Sequence, residues 1–148
     1  MLWLFRYRRF FVPLRPVRNP TGKMAKYTTQ IILGTSPESI VWTYISSGPG
    51  LERWFADSVS ENGRLFTFSW QGSERQAKIV EEIPGELIRF HWLDAEPDTY
   101  WEMRILVDEI TDDTVLIVTD FADDGEEEDD KELWNAQGIE LKHVLGCR

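Results

Sequence analysis

Chemistry in this chain would have to come from 26 carboxylates, two histidines and one cysteine, so their spacing decides what is possible. The densest set is residues 123–130 (DDGEEEDD), with seven acids in eight positions. If Gly125 is set on the invariant glycine of a calcium loop, Asp120 and Asp124 fall on ligand positions. Ala122 and Lys131 fall on others, and the closing bidentate acid is missing. The same run stands just ahead of an amphipathic segment. There it reads as a solvated helix start, its acids favoured by the macrodipole at about 0.3–1 kcal/mol each. His91 and His143 lack a second His or Cys at ligand spacing, so no zinc set forms. Cys147 stands one residue from the end, where a nucleophile is not held rigid. Glycine-rich phosphate loops and the G-x-S-x-G elbow are absent. Carboxylates are so numerous that some pair must lie near another, so a glycosidase-type dyad cannot be inferred. These groups imply no catalytic set, no metal and no cofactor.

What remains is an aromatic excess of seven Trp, eight Phe and four Tyr. Many of them fall in runs that alternate with polar residues. In 64–70 the apolar phase carries Phe66, Phe68 and Trp70; in 87–93 it carries Ile88, Phe90 and Trp92; in 101–107 it carries Trp101, Met103, Ile105 and Val107. A period of two predicts strands with one dry and one wet face, as in an antiparallel sheet. Strand 114–121 (TVLIVTDF) is apolar nearly throughout, and its inner face is not readable. Turn signals at Asn62-Gly63, Gln71-Gly72-Ser73, Pro84-Gly85-Glu86, Glu96-Pro97-Asp98 and Asp112-Asp113 make successive strands antiparallel neighbours.

Ahead of these runs, 27–33 (YTTQIIL) predicts an opening strand. A helix then starts with Ser36 as N-cap and Pro37 at the first helical position, carrying Ile40, Val41, Tyr44 and Ile45 inward. A second short helix passes through 51–55. Near the end, Leu133, Gln137, Leu141 and Val144 form one helical stripe with Trp134 and Leu145 beside it. The expected class is α+β. A seven-stranded curved antiparallel sheet carries two short helices after strand 1 and a long C-terminal helix packed across it.

Charge separates two segments. Residues 1–23 hold six basic residues and no acid; the rest holds the other 10 Lys/Arg and all 26 Asp/Glu, a net of -16. The leader is broken by Pro13, Pro16 and Pro20, and its arginines interrupt any apolar stretch of a secretory signal. It reads as a basic leader, either disordered or a mis-assigned start with Met24 as the natural one, ahead of a domain spanning 24–148. An acidic body with pI about 4.6 is a poor nucleic-acid binder. No apolar run approaches the roughly 20 residues that span a bilayer, which excludes stable membrane insertion. The single cysteine suits a reducing, cytoplasmic compartment.

The order of elements, with SPESIVWTYISSGPGLERWFAD after the first strand, then FTFSWQGSE, IRFHWLDAEPDTYWEMRI and LIVTDFAD, resembles the START-like or SRPBCC superfamily. That superfamily has the helix-grip fold. The resemblance covers about residues 26–146, and its nearest likeness is to compact acidic bacterial members of unassigned role. It implies an apolar ligand held between sheet and helix. The expected pocket is lined by Phe68, Trp70, Phe90, Trp92, Trp101, Met103, Trp134, Gln137 and Leu141. A protein-interaction role of chaperone-regulator type, through the acidic surface, is the alternative. An enzyme acting on a lipid or polyketide-like substrate is third.

Overall fold

The β-branched and aromatic run at the head of the domain forms β1 (Met24–Ile32), which starts three residues before the expected strand. The structure is a computed structural model and describes residues 23–147; the leader, apart from Lys23, lies outside the described residues. After β1 come α1 (Glu38–Ser46) and α2 (Gly48–Leu51). Strands β2 (Ser58–Asn62), β3 (Leu65–Trp70), β4 (Ser73–Ile83), β5 (Leu87–Trp92), β6 (Trp101–Val107) and β7 (Thr114–Asp123) follow, then α3 (Glu127–Leu145). The element order is the one the sequence implies.

The start of α1 differs in detail. Pro37, not Ser36, is the N-cap, and its carbonyl accepts from the Ile40 and Val41 N–H groups. The Ser36 hydroxyl turns back and donates to the Leu33 carbonyl at 2.7 Å, while the Ser36 carbonyl accepts from Thr114 Oγ1 at 2.6 Å. Ser36 therefore ties the end of β1 to the start of β7, and no side-chain bond caps the helix. Only Val41 and Ile45 of α1 are buried; Ile40 is exposed and Tyr44 half-buried, because a nine-residue helix presents a narrow i, i+4 stripe. The second helix also sits earlier than expected. It occupies 48–51, with Ser47 Oγ accepting from Gly50 N and Pro49 in the first turn. Residues 52–55 continue as a turn.

All seven strands lie in one antiparallel sheet, in the order β1-β7-β6-β5-β4-β3-β2. Gln71 and Gly72 join β3 to β4 with φ of 49° and 88°, the pair of positive angles that a two-residue hairpin matched to strand twist requires. The register of β4 against β5 shifts between Ile79 and Glu81, a bulge that bends the strand and increases its twist. Register also settles the ambiguous strand. Leu116 pairs with Ile31 and Val118 with Met103, so Leu116, Val118, Asp120 and Ala122 face inward with the β1 phase Tyr27, Thr29 and Ile31. Outward, Val115 lies between Ile32 and Leu106, which explains the strand's uninterrupted apolar character. Val107 stands 43 % exposed at the end of β6 and does not join the core.

The long helix covers the dry face. Its buried residues are Asp130, Trp134, Gln137, Gly138 and Leu141. The stripe thus centres on Trp134, and Leu133, Val144 and Leu145 are only half-buried against the core. Gly138 is needed where α3 crosses β1, since a Cβ there would come within 2.9 Å of the Ile31 side chain. The helix ends on Gly146 at φ 76°, with Cys147 N bonded to Lys142 O and Gly146 N to His143 O, a Schellman stop. Asp130 is a buried member of the acidic run, with the Tyr27 hydroxyl at 3.4 Å, so the run is not wholly the solvated helix start expected of it.

Candidate functional site: the aromatic face between sheet and helix

The nine residues expected around a ligand all lie between the sheet and α3. Phe68, Trp70, Phe90, Met103 and Leu141 are fully buried, Trp101, Trp134 and Gln137 nearly so, and Trp92 is half-buried. Alternation delivers them: Phe66, Phe68 and Trp70 leave one face of β3, Phe90 and Trp92 one face of β5, Trp101 and Met103 one face of β6. Trp101 is the hub. Its ring stacks on Phe90 at 4.4 Å between centroids, on Trp92 at 5.1 Å and on Phe55 at 5.1 Å. Phe68 and Trp134 approach it at 5.9 and 6.0 Å.

Phe55 is the member that the alternation rule could not find, because it leaves an irregular turn after α2. Its ring also meets Phe68, Trp70 and Trp134 at 5.4, 5.7 and 5.8 Å. Its carbonyl accepts twice, from Trp70 Nε1 at 3.0 Å and from Gln137 Nε2 at 3.1 Å. Gln137, the polar residue of the inward stripe, therefore has its amide N–H committed to the turn. One peptide oxygen joins β3, α3 and the α2 turn.

Polar atoms in this layer are otherwise matched with care. Trp54 Nε1 donates to Tyr44 O at 2.9 Å, and Trp134 Nε1 donates to Asp120 Oδ2 at 2.8 Å. Asp120 thus serves an indole here, rather than the calcium-loop geometry considered above. Among the described residues, no three His, Cys, Asp or Glu side chains form a group that could hold a metal ion. Trp101 breaks the pattern. Its Nε1–H is buried and has no hydrogen-bond partner among the described residues. An unpaired buried donor costs about 1–3 kcal/mol.

The cluster reaches the surface at Trp92. The Arg75 guanidinium lies 4.3 Å over that ring and is held by a bidentate pair with Asp94 at 2.8–3.0 Å. Asp94 is largely exposed, so this corner is polar outside and aromatic inside. His91 is on the opposite face of β5, with Nδ1 2.7 Å from the Thr99 carbonyl. There Arg89 pairs with Glu102 at 2.8 Å and lies 4.1 Å over the Tyr100 ring. Burial works to lower the Arg89 pKa, but the hydrogen bond and charge of Glu102, together with Tyr100 and Glu81, outweigh it and raise the value. This pair braces the outer face and touches none of the aromatic layer.

A curved antiparallel sheet gripping one long helix across an aromatic face defines the helix-grip class of α+β domain. Within that class, the family model of the START-like superfamily domain matches residues 22–147, and the chain belongs to that superfamily. Among solved structures, it is similar to the Bacteroides fragilis protein BfR322, with 40 % identity and a TM-score of 0.61, over 82 % of this chain and 91 % of that one. It shares its fold with the Aha1 dimer of Colwellia psychrerythraea at 18 % identity and a TM-score of 0.66, covering 82 % of this chain and 96 % of that one. The Staphylococcus saprophyticus protein SSP2350 gives 19 % identity and a TM-score of 0.66, covering 82 % and 92 %. No curated protein matches the chain. Among the described residues, no helix is long and apolar enough to cross a membrane.

Proposed function

We propose that this chain is a non-enzymatic START-like domain, taken as residues 24–148, that binds an apolar small molecule between its sheet and α3. The observation that carries this reading is the aromatic layer itself. Rings from β3, β5, the α2 turn and α3 converge on Trp101 of β6, and the layer meets solvent at Trp92. Predominantly apolar linings with a few polar groups are the usual makeup of small-molecule sites. Phe68, Trp70, Phe90, Met103, Leu141 and their neighbours would supply contact area, and Arg75 with Asp94 would frame the entrance. A protein partner reading the acidic surface is the second reading. It is favoured by the exposed Asp124, Glu128 and Asp129 at the head of α3.

The first reading is tested with N-phenylnaphthylamine, an uncharged dye that brightens in apolar surroundings. The folded protein should give a saturable fluorescence rise while its near-ultraviolet circular dichroism is unchanged, and Trp101→Ala should alter the affinity. A folded protein that shows no saturable binding would overturn the reading.

A further inference from the structure

We infer that the ligand carries a hydrogen-bond acceptor, and that the Trp101 indole N–H is the group that recognises it. This inference rests on the proposed site between sheet and helix, and it names the chemistry of what enters. Four Trp side chains are buried in the described structure, and three have their N–H satisfied by the fold: Trp54 by Tyr44 O, Trp70 by Phe55 O and Trp134 by Asp120. Trp101 is 1 % exposed, is the hub of the aromatic layer, and has no partner.

The neighbours explain why no side chain of the layer fills the role. Phe90, Trp92 and Phe55 stack on the indole at interplanar angles of 17°, 29° and 18°. Stacked rings meet the face of an indole, whereas its N–H lies in the ring plane. Met103, beside it on the β6 phase, offers only a weak thioether acceptor. Gln137 donates an amide N–H to Phe55 O, and its Oε1, the one strong side-chain acceptor on the inward stripe of α3 here, does not reach the Trp101 N–H. The layer thus selects for shape and apolarity through its rings, and holds one directional donor in reserve. A purely hydrocarbon ligand would leave that donor unpaired; a ketone, ester or acid oxygen would satisfy it. Discrimination arises because a buried polar group left unmatched is disfavoured more than a matched one is favoured.

The experiment uses two probes of the same shape, acetylnaphthalene and ethylnaphthalene, which differ in the carbonyl oxygen. With the full chain, acetylnaphthalene should bind roughly tenfold more tightly. In Trp101→Phe, which keeps a stacking ring and removes the N–H, the preference should collapse while ethylnaphthalene still binds. The wild-type protein gives a second readout that needs no folded variant. In a ¹⁵N-labelled sample the Trp101 Nε1–H resonance should lie downfield with acetylnaphthalene bound relative to its position with ethylnaphthalene bound, the ring-current shift being common to the two probes. Equal affinity for the two probes, or a preference that survives in Trp101→Phe, overturns the inference and leaves the apolar site standing. Binding of neither probe overturns the proposed site and the inference with it.

Discussion

Asp108 is the residue where local backbone acts most plainly on a titratable group. In the turn between β6 and β7 its carboxylate accepts the N–H of Thr111 at 3.1 Å and of Ile110 at 2.8 Å. These bonds favour the charged form and hold its pKa below the ordinary aspartate value. A depressed folded pKa gives a stabilisation that is present above the unfolded value and is lost as pH falls through the folded one. A carboxyl titration followed by NMR should place Asp108 below a model-peptide aspartate, and Asp108→Ala should loosen the 108–113 turn without disturbing the aromatic layer. A titration at or above the ordinary value would contradict the turn geometry. Glu102 is only 7 % exposed on the wet phase of β6, and it is tolerated there because Arg89 donates twice to its Oε1 and Arg104 Nε stands 3.7 Å from its Oε2.

At the scale of elements, the decisive contact is the crossing of α3 over β1. Gly138 lies there against Ile31, which is itself 3 % exposed and has little room to give. Gly138→Val should therefore destabilise the protein by about 1–3 kcal/mol through overpacking, measured by urea denaturation. An unchanged midpoint would mean that the helix can lift without loss. The same elements show what the sequence could and could not disclose. Strands β3, β5 and β6 were legible because a two-residue period leaves one solution for which side is dry. Eight of the nine expected site residues came from that period or from the α3 stripe, with Trp134 set beside it. Phe55 was not legible, since nothing local in Leu51–Phe55 shows that the turn delivers its ring to the middle of the layer. The inner face of β7 was hidden because Val115 is apolar for a different reason, its outward neighbours Ile32 and Leu106. Ser36 has the type and place of a cap, but a local bond to Leu33 and a tertiary one from Thr114 claim it instead. The unpaired N–H of Trp101 is a property of three-dimensional surroundings alone.

The whole molecule carries its charge unevenly, with -16 on residues 24–148 and a dense acidic head on α3. Self-repulsion of that size opposes the compact state. Raising ionic strength from about 0.01 M to about 0.1 M shortens the screening length from about 30 Å to about 10 Å. Calorimetry should then show Tm rising by about 4 °C, the shift expected of a 1 kcal/mol stabilisation in a chain of this size. A falling Tm would mean that the helix-dipole pairing of Glu127 to Asp130 outweighs the repulsion. The doubly used carbonyl of Phe55 has a consequence for biosynthesis. Its bond to Trp70 spans 15 residues and can close once the β3 strand has left the ribosome; its bond to Gln137 spans 82 and must wait for α3. The carbonyl therefore cannot join all three elements before α3 has been made, and the aromatic layer is completed last by that helix. Until then its apolar rings lack their cover, and exposed apolar surface of that kind is what makes a partly folded chain prone to aggregate.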